Sequence, residues 1–271
     1  MARAVAVHTR PAGLVAPIAF RIARYAMQAP HPPLQDYYGH EQHRPEWVRG
    51  IFTRTAADYD RVESAVAFGS GSWYRRRALE ASGLRPGMRV VDVGVGTGLV
   101  AREAAAIVGD PRRVTGVDPS PGMVANAAVP AGVQLLMGMA EDLPLADASA
   151  DFLSMGYALR HISDLKAAYA EFFRVLRPGG RLCVLEITQP VGAVSRALLK
   201  AYMRGVVPVI ARVVARHRDM PQLMRYYWDT IEACVPPDTV LRGIQAAGFT
   251  QVSRHVELGI FSEYRAHKPS G

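Results

Sequence analysis

Between an apolar run and an alanine-rich stretch the chain reads VVDVGVGTG, residues 90–98. A glycine loop at a strand-to-helix turn does its chemistry with backbone: no Cβ stands in the way, so N–H groups can approach a polar or anionic ligand. Gly94, Gly96 and Gly98 are spaced GxGxG, with Thr97 inside the loop and Leu99 in the next slot. The dinucleotide fingerprint is GxGxxG, so this spacing departs from it. Asp92, two residues before the first glycine, would repel a pyrophosphate and suits a cationic amino group. Asp118 closes the next apolar run, in GVDPS, where a carboxylate can accept from both ribose hydroxyls of an adenosine. That placement also fits NAD, and the choice of cofactor rests on Asp92 and the glycine spacing. The plain alternative is a turn at the glycines and a helix-capping Asp118.

These residues need a scaffold that brings strand ends together. Strand-like runs alternate with helical periods: RVVDVG, a helix over 99–107, RVTGVD, a helix over 121–128, VQLLMG, DFLSMG, a helix over 164–176 and RLCVLEI. That alternation predicts an α/β fold with a mostly parallel sheet covered on both faces. Right-handed crossovers then set the loops after each strand along one ligand-binding edge. Further on, 192–216 reads as two helices broken at Pro208, and 226–234 as another. A helix over 237–247 stops at Gly248, and 252–258 pairs with FSEYRAHK as an antiparallel edge.

Composition narrows the partners. The 271 residues carry a formal charge of +8, concentrated in two acid-free stretches. One is 1–35, with Arg3, Arg10, Arg21 and Arg24; the other is 187–218, with Arg196, Lys200, Arg204, Arg212, Arg216 and Arg218. The remainder is slightly acidic, which disfavours a nucleic-acid partner and suits an anionic membrane surface or a charged substrate. Arg196, Lys200 and Arg204 recur every four residues, as on one face of an interfacial helix, with Leu198, Leu199, Met203, Val206 and Val207 on another; a solvated basic face is the alternative. Cys183 and Cys234 cannot make a disulfide framework, and a reducing, cytoplasmic setting follows, with attachment to the inner face of a membrane as an option. No metal-ligand cluster is read. Residues 1–35 read as a loosely ordered extension ending in a short amphipathic helix over 18–27, or as a transit peptide.

DVGVGTG, GVDPSPGM, GMAEDLPLADASADFLSMGYALRHISD and EFFRVLRPGGRLCVLE together resemble the class I S-adenosylmethionine-dependent methyltransferases. IFTRTAADYDRVESAVAFGSGSWYRRRAL and LRHISD are similar to the C-methyltransferases of ubiquinone and menaquinone biosynthesis, and the likeness runs from about residue 37 to the C-terminus. The resemblance implies a three-layer sandwich around a seven-stranded sheet whose last strand is antiparallel. A helical cover would occupy 36–85, the cofactor-binding core 86–190, a helical cap insertion 191–236, and the closing helix and strands 237–271.

The resemblance also implies roles. Gly94, Gly96 and Gly98, with Asp92 and Thr97, would pack under the methionine portion of S-adenosylmethionine. Asp118 and Pro119 would hold the ribose, Met123 would lie on adenine, and Met139, Ala140 and Glu141 would edge it; Met155 would lie near the sulfonium. Relatives carry an acidic or amide residue where this chain has Met139, so Glu141 or Asp142 would supply the contact to the adenine amino group. Where the family has arginine then asparagine, this chain has Arg160 then His161. C-methylation needs an electron-rich ring carbon, so a quinol hydroxyl must lose its proton. Arginine can stabilise the phenolate while His161, or a water it orients, takes the proton. His161 as the cap of the helix beginning near Ser163 is the other reading. Tyr59 would join Arg160 and His161 as a catalytic residue and, with Asp60, close the cover over the site. The expected activity is methyl transfer to carbon of a lipophilic quinol-like small molecule. O- or N-methylation of a small metabolite, and cofactor binding without transfer, are the rivals; a homodimer is left open.

Overall fold

The computed structural model describes residues 29–67 and 69–271. The helix expected over 18–27 lies outside them. A helical cover comes first, α1 (Arg44–Val66) and α2 (Gly71–Ala81). The alternating region then runs β1 (Val90–Val93), α3 (Leu99–Val108), β2 (Val114–Asp118), α4 (Pro121–Ala125), β3 (Gln134–Met137), β4 (Ala150–Gly156), α5 (Leu165–Val175) and β5 (Leu176–Ile187). The cap is α6 (Ala193–Ala201), α7 (Val207–Val214) and α8 (Met220–Ala233); α9 (Pro237–Ala246), β6 (Thr250–Glu257) and β7 (Phe261–His267) complete the chain.

The seven strands order as β3-β2-β1-β4-β5-β7-β6. The first five are parallel, and β7 runs antiparallel to both of its neighbours. Successive residues of a strand face opposite sides, and the sequence fills both. Val91, Val93, Leu153, Leu182 and Val184 pack with Tyr169 and Phe172 of α5 and Ile244 of α9. Val90, Phe152, Cys183 and Leu185 pack with Leu79 of α2 and Ala101 and Ala104 of α3. A third apolar cluster joins cover to cap: Ile51 and Val62 of α1 meet Met203, Val207, Leu223 and Trp228. That lobe is the helical roof above the ligand edge.

Two expectations change in the roof. The cap does not break at Pro208; a π-helical turn, Tyr202–Val206, links α6 to α7, and Pro208 falls in the first turn of α7, where its missing N–H costs nothing. Residues 29–35, assigned to a loose extension, are anchored. Pro30 accepts from the Val235 amide at 2.7 Å, and His31 is buried, its imidazole pushed down to about 4 by desolvation and by Arg44.

Candidate active site

Under the roof lies a cavity of about 1010 Å³ whose floor is the C-terminal edge of the parallel strands. Of the residues singled out from sequence, Tyr59, Gly94, Gly96, Thr97, Asp118, Pro119, Met123, Met139, Ala140, Glu141, Met155, Arg160 and His161 line it. Asp92 and Gly98 do not. Asp92 sits behind the loop, where its Oδ1 accepts from Ser154 Oγ at 2.7 Å; burial and the nearby Asp118 push its carboxyl up to about 7. It therefore shapes the loop from below and does not face the ligand. Gly98 is a glycine for packing: its φ is +91°, and a Cβ there would lie 2.3 Å from Val129 Cγ1.

Gly96 is different. Its φ is +54°, and a Cβ built there meets nothing nearer than the Gly94 carbonyl at 4.0 Å, so the space over it is open to a ligand. Its amide donates to Asp118 Oδ2 at 2.9 Å, and the Ser120 amide donates to Oδ1 at 2.8 Å. Each carboxylate oxygen keeps a lone pair for a ribose hydroxyl. Burial pushes Asp118 up to about 6. An open glycine cradle beside a pre-aimed carboxylate fits S-adenosylmethionine. Met123 and Met155, both buried, complete an apolar wall. The cover is latched to this loop: Thr97 Oγ1 donates to Asp60, which also pairs with Arg102 at 3.2 Å. Gly122 belongs to the same closure, because a Cβ there would meet the Thr53 carbonyl of α1 at 2.3 Å.

At the adenine end Met139 is exposed, as an unpaired apolar side chain over an open edge would be. Glu141 does not reach outward: its Oε1 accepts from the Ser163 and Asp164 amides at 2.6 and 3.2 Å, tying the loop after β3 to the loop after β4.

That second loop carries Arg160 and His161 on a short turn, Leu159–His161. Arg160 is buried, donating from Nε to Glu186 at 2.9 Å and from Nη1 to Thr230 at 3.3 Å, with its guanidinium 5.5 Å from the Tyr227 ring centre. It is half of a buried ion pair with Glu186. Its carbonyl and that of Ile162 accept from Arg44 Nη2 at 2.9 and 3.0 Å, so α1 fixes the turn itself. His161 is not a helix cap; Asp164 caps α5, accepting from the Lys166 and Ala167 amides. Its ring stacks on Tyr226 and Tyr227 at 5.4 and 5.5 Å, and both ring nitrogens are shielded from solvent without a protein partner. Desolvation, then the charges of Arg160 and Arg44, hold the imidazole well below its ordinary range. Tyr59 donates to or accepts from the Tyr227 hydroxyl at 2.6 Å.

Sequence reading missed Glu186, Arg44 and the 226–227 tyrosines. Glu186 had a signal, a single acid at the end of the apolar run RLCVLEI; the others are joined to the turn only through tertiary packing.

The ubiE/COQ5 methyltransferase family matches residues 39–268. The ubiquinone/menaquinone biosynthesis C-methyltransferase UbiE of Shewanella halifaxensis is 30% identical over 233 residues, 83% of this chain and 92% of that protein. Its counterpart in Shewanella piezotolerans is 28% identical, over 87% of this chain and 98% of its own length. Among solved structures, a Thermotoga maritima S-adenosylmethionine-dependent methyltransferase, described as a possible histamine N-methyltransferase, superposes with a TM-score of 0.56 at 24% identity, covering 81% of this chain and 98% of its own. Phosphoethanolamine N-methyltransferase 2 of Haemonchus contortus, in complex with S-adenosyl-L-methionine, gives 0.55 at 17% identity, over 88% of this chain and 60% of its own. Those two likenesses speak to the fold; the sequence match speaks to descent. The glycine cradle, the carboxylate at the end of β2 and that match together place this chain in the ubiE/COQ5 methyltransferase family, as an S-adenosylmethionine-dependent methyltransferase.

Proposed function

We propose that this enzyme methylates a ring carbon of a lipophilic quinol-type acceptor. The observation that carries the reading is His161, a neutral imidazole with two unspent nitrogens in a largely apolar cavity beside the Arg160–Glu186 pair. When bound, S-adenosylmethionine supplies an electrophilic methyl group on a cationic sulfur. His161 accepts the acceptor's hydroxyl proton, and Arg160 turns its remaining amino group toward the phenolate oxygen. Glu186 balances the arginine, so a buried positive charge is not left to oppose the cationic cofactor. The roof excludes water, which strengthens both interactions. The ring carbon would take the methyl as the methyl–sulfur bond breaks, leaving S-adenosylhomocysteine; the ring oxygen then takes its proton back from His161, the freed imidazole accepts the proton of the methylated carbon to restore the aromatic ring, and that one proton leaves to solvent with the products. The test uses labelled S-adenosylmethionine and a reduced 2-prenyl-1,4-naphthoquinone with a short tail. The expected product carries the label on ring carbon by mass spectrometry and NMR; a methyl ether overturns the reading.

An apolar acceptor has to be collected from lipid, and the cap supports that. Among the described residues no helix is long and apolar enough to cross a membrane. The expected basic face is partly used up, because Lys200 pairs with Glu232 and Arg204 with Asp229, acids supplied by α8. What the cap presents outward is aliphatic: Val191, Val194 and Leu198, then Val206, Val209 and Val213, are exposed, Leu198 by 67% and Val213 by 80%. Val194 and Leu198 lie one turn apart on α6, with Val191 just before it, and Val206, Val209 and Val213 follow i, i+3, i+7 from the π turn along α7. Arg196 and Arg212 are exposed on the same helices and form no ion pair among the described residues. Trp73 and Leu258, also exposed, lie in the cavity lining. The reading is an interfacial docking face for an anionic bilayer, with the valine stripe inserted and the arginines at the headgroups. The parent protein is expected to co-sediment with phosphatidylglycerol vesicles and to lose most of that binding in Val194→Ser/Leu198→Ser/Val209→Ser. Arg196→Gln/Arg212→Gln should weaken it mainly at low salt. Equal pelleting of all three proteins sinks the docking face.

A further inference from the structure

The cavity holds a second polar group that neither cofactor nor the Arg160 turn uses. Arg75 of α2 lines it while being only 4% exposed, pairs with Glu63 of α1, and leaves its Nε without a hydrogen-bond partner. Gly71 makes room for this pair: a Cβ there would lie 2.7 Å from both Arg75 Nη1 and Glu63 Oε1. The Arg75 guanidinium lies 6.0 Å from the ring centre of Tyr157. Tyr157 follows β4 directly, at the sheet edge where ligands of such folds bind, and its φ is +60°. A non-glycine residue in that region is strained, and such strain collects at sites where it aims a side chain. No partner for its hydroxyl is found among the described residues, and burial keeps that hydroxyl protonated, so it is a donor. Arg75, Tyr157, Tyr59 and Arg160 line the same cavity, so the two arginines address one compartment.

We propose that Arg75 and Tyr157 form a binding site for a second oxygen of the acceptor ring, one remote from the oxygen that loses its proton. This deepens the quinol reading above and rests on it. A buried donor left unspent in an apolar wall is a penalty unless a ligand meets it. Because Glu63 already balances Arg75, the site suits a neutral or partly charged oxygen, a ring hydroxyl or carbonyl, and not a carboxylate. It would select rings bearing two oxygens over rings bearing one or none, in the way that a site built to hydrogen-bond a group rejects the analogue lacking it.

The test is equilibrium binding to the protein saturated with S-adenosylhomocysteine. Two probes share a short prenyl tail: 2-prenyl-1,4-naphthoquinone and 2-prenylnaphthalene, which has no oxygen. Arg75→Met is made together with Glu63→Gln, so that no lone buried carboxylate remains, and Tyr157→Phe is made separately. The naphthoquinone should bind about 10-fold more weakly to the double variant and a few-fold more weakly to Tyr157→Phe. The naphthalene should bind all three proteins alike, and S-adenosylhomocysteine affinity should stay within about twofold as the control for folding. Equal losses for both probes, no loss for either, or no preference for the naphthoquinone in the parent protein overturns the proposal. Failure of the quinol reading is separate: it would appear as a missing or oxygen-bound methyl in the labelling assay while the preference between probes persists.

Discussion

His161→Ala is expected to lower turnover by about 10²-fold or more while S-adenosylmethionine affinity stays within a few-fold. General-base catalysis contributes on this scale, and the residue touches the acceptor side of the cavity. The stacked tyrosines fix the ring plane, and the unspent nitrogens leave it free to accept a proton. The direction of its shift sets the pH profile. A histidine whose pKa is lowered is deprotonated throughout pH 6 to 8, so the rate should carry no acid limb from this group in that window. His161→Asn, which restores the residue of the resembling family, should retain activity within about 10-fold by orienting a water in place of the imidazole. Steady-state kinetics of the three proteins with the reduced naphthoquinone check this. Full activity in His161→Ala removes the base from the mechanism.

Asp118→Ala should weaken S-adenosylmethionine by roughly 10- to 100-fold in calorimetry, since a bidentate charged contact is worth about 1.5–3 kcal/mol. The loss is sharpened by the two amides it strands, those of Gly96 and Ser120. Burial raises the Asp118 carboxyl to about 6, and only the ionised form can accept from both ribose hydroxyls. Affinity should therefore fall as pH drops through about 6, by up to 10-fold per unit, and Asp118→Ala should lack that limb. Asp92, raised to about 7 in the parent by burial and by the Asp118 charge, loses the second of those causes in Asp118→Ala, so any limb it leaves in the variant should lie lower than in the parent. For folding the sign runs the same way for both. Their folded values lie above the unfolded carboxylate value, so ionisation costs stability at neutral pH, and the cost is relieved as pH falls through 7 and 6. Unchanged affinity in Asp118→Ala removes the ribose assignment.

Much of what depended on neighbours in sequence was legible. Strand runs such as VVDV and DFLSM and the glycine loop announce themselves through local periodicity and backbone demands, whereas the caps fell on Ser120 and Asp164 and not on Asp118 or His161. What was lost is what tertiary packing decides. The ion-pair partner of Arg160, Glu186, stands 26 residues away, and the turn's support, Arg44, is 116 residues from Arg160. Three glycines in one loop looked alike, yet Gly96 faces the ligand and Gly98 faces Val129. The acid-free stretch 187–218 looked like a bare basic surface until α8 folded Asp229 and Glu232 against it.

The strand order carries a consequence for folding. β7 follows β6 in sequence, yet it lies between β5 and β6, with Tyr264 and Ala266 in the core. The outer edge of β5 is covered only by residues 261–267, and β6 joins the sheet only through β7. A chain in which the β6–β7 pair has not docked therefore offers an open strand edge, the feature through which edge-to-edge association begins.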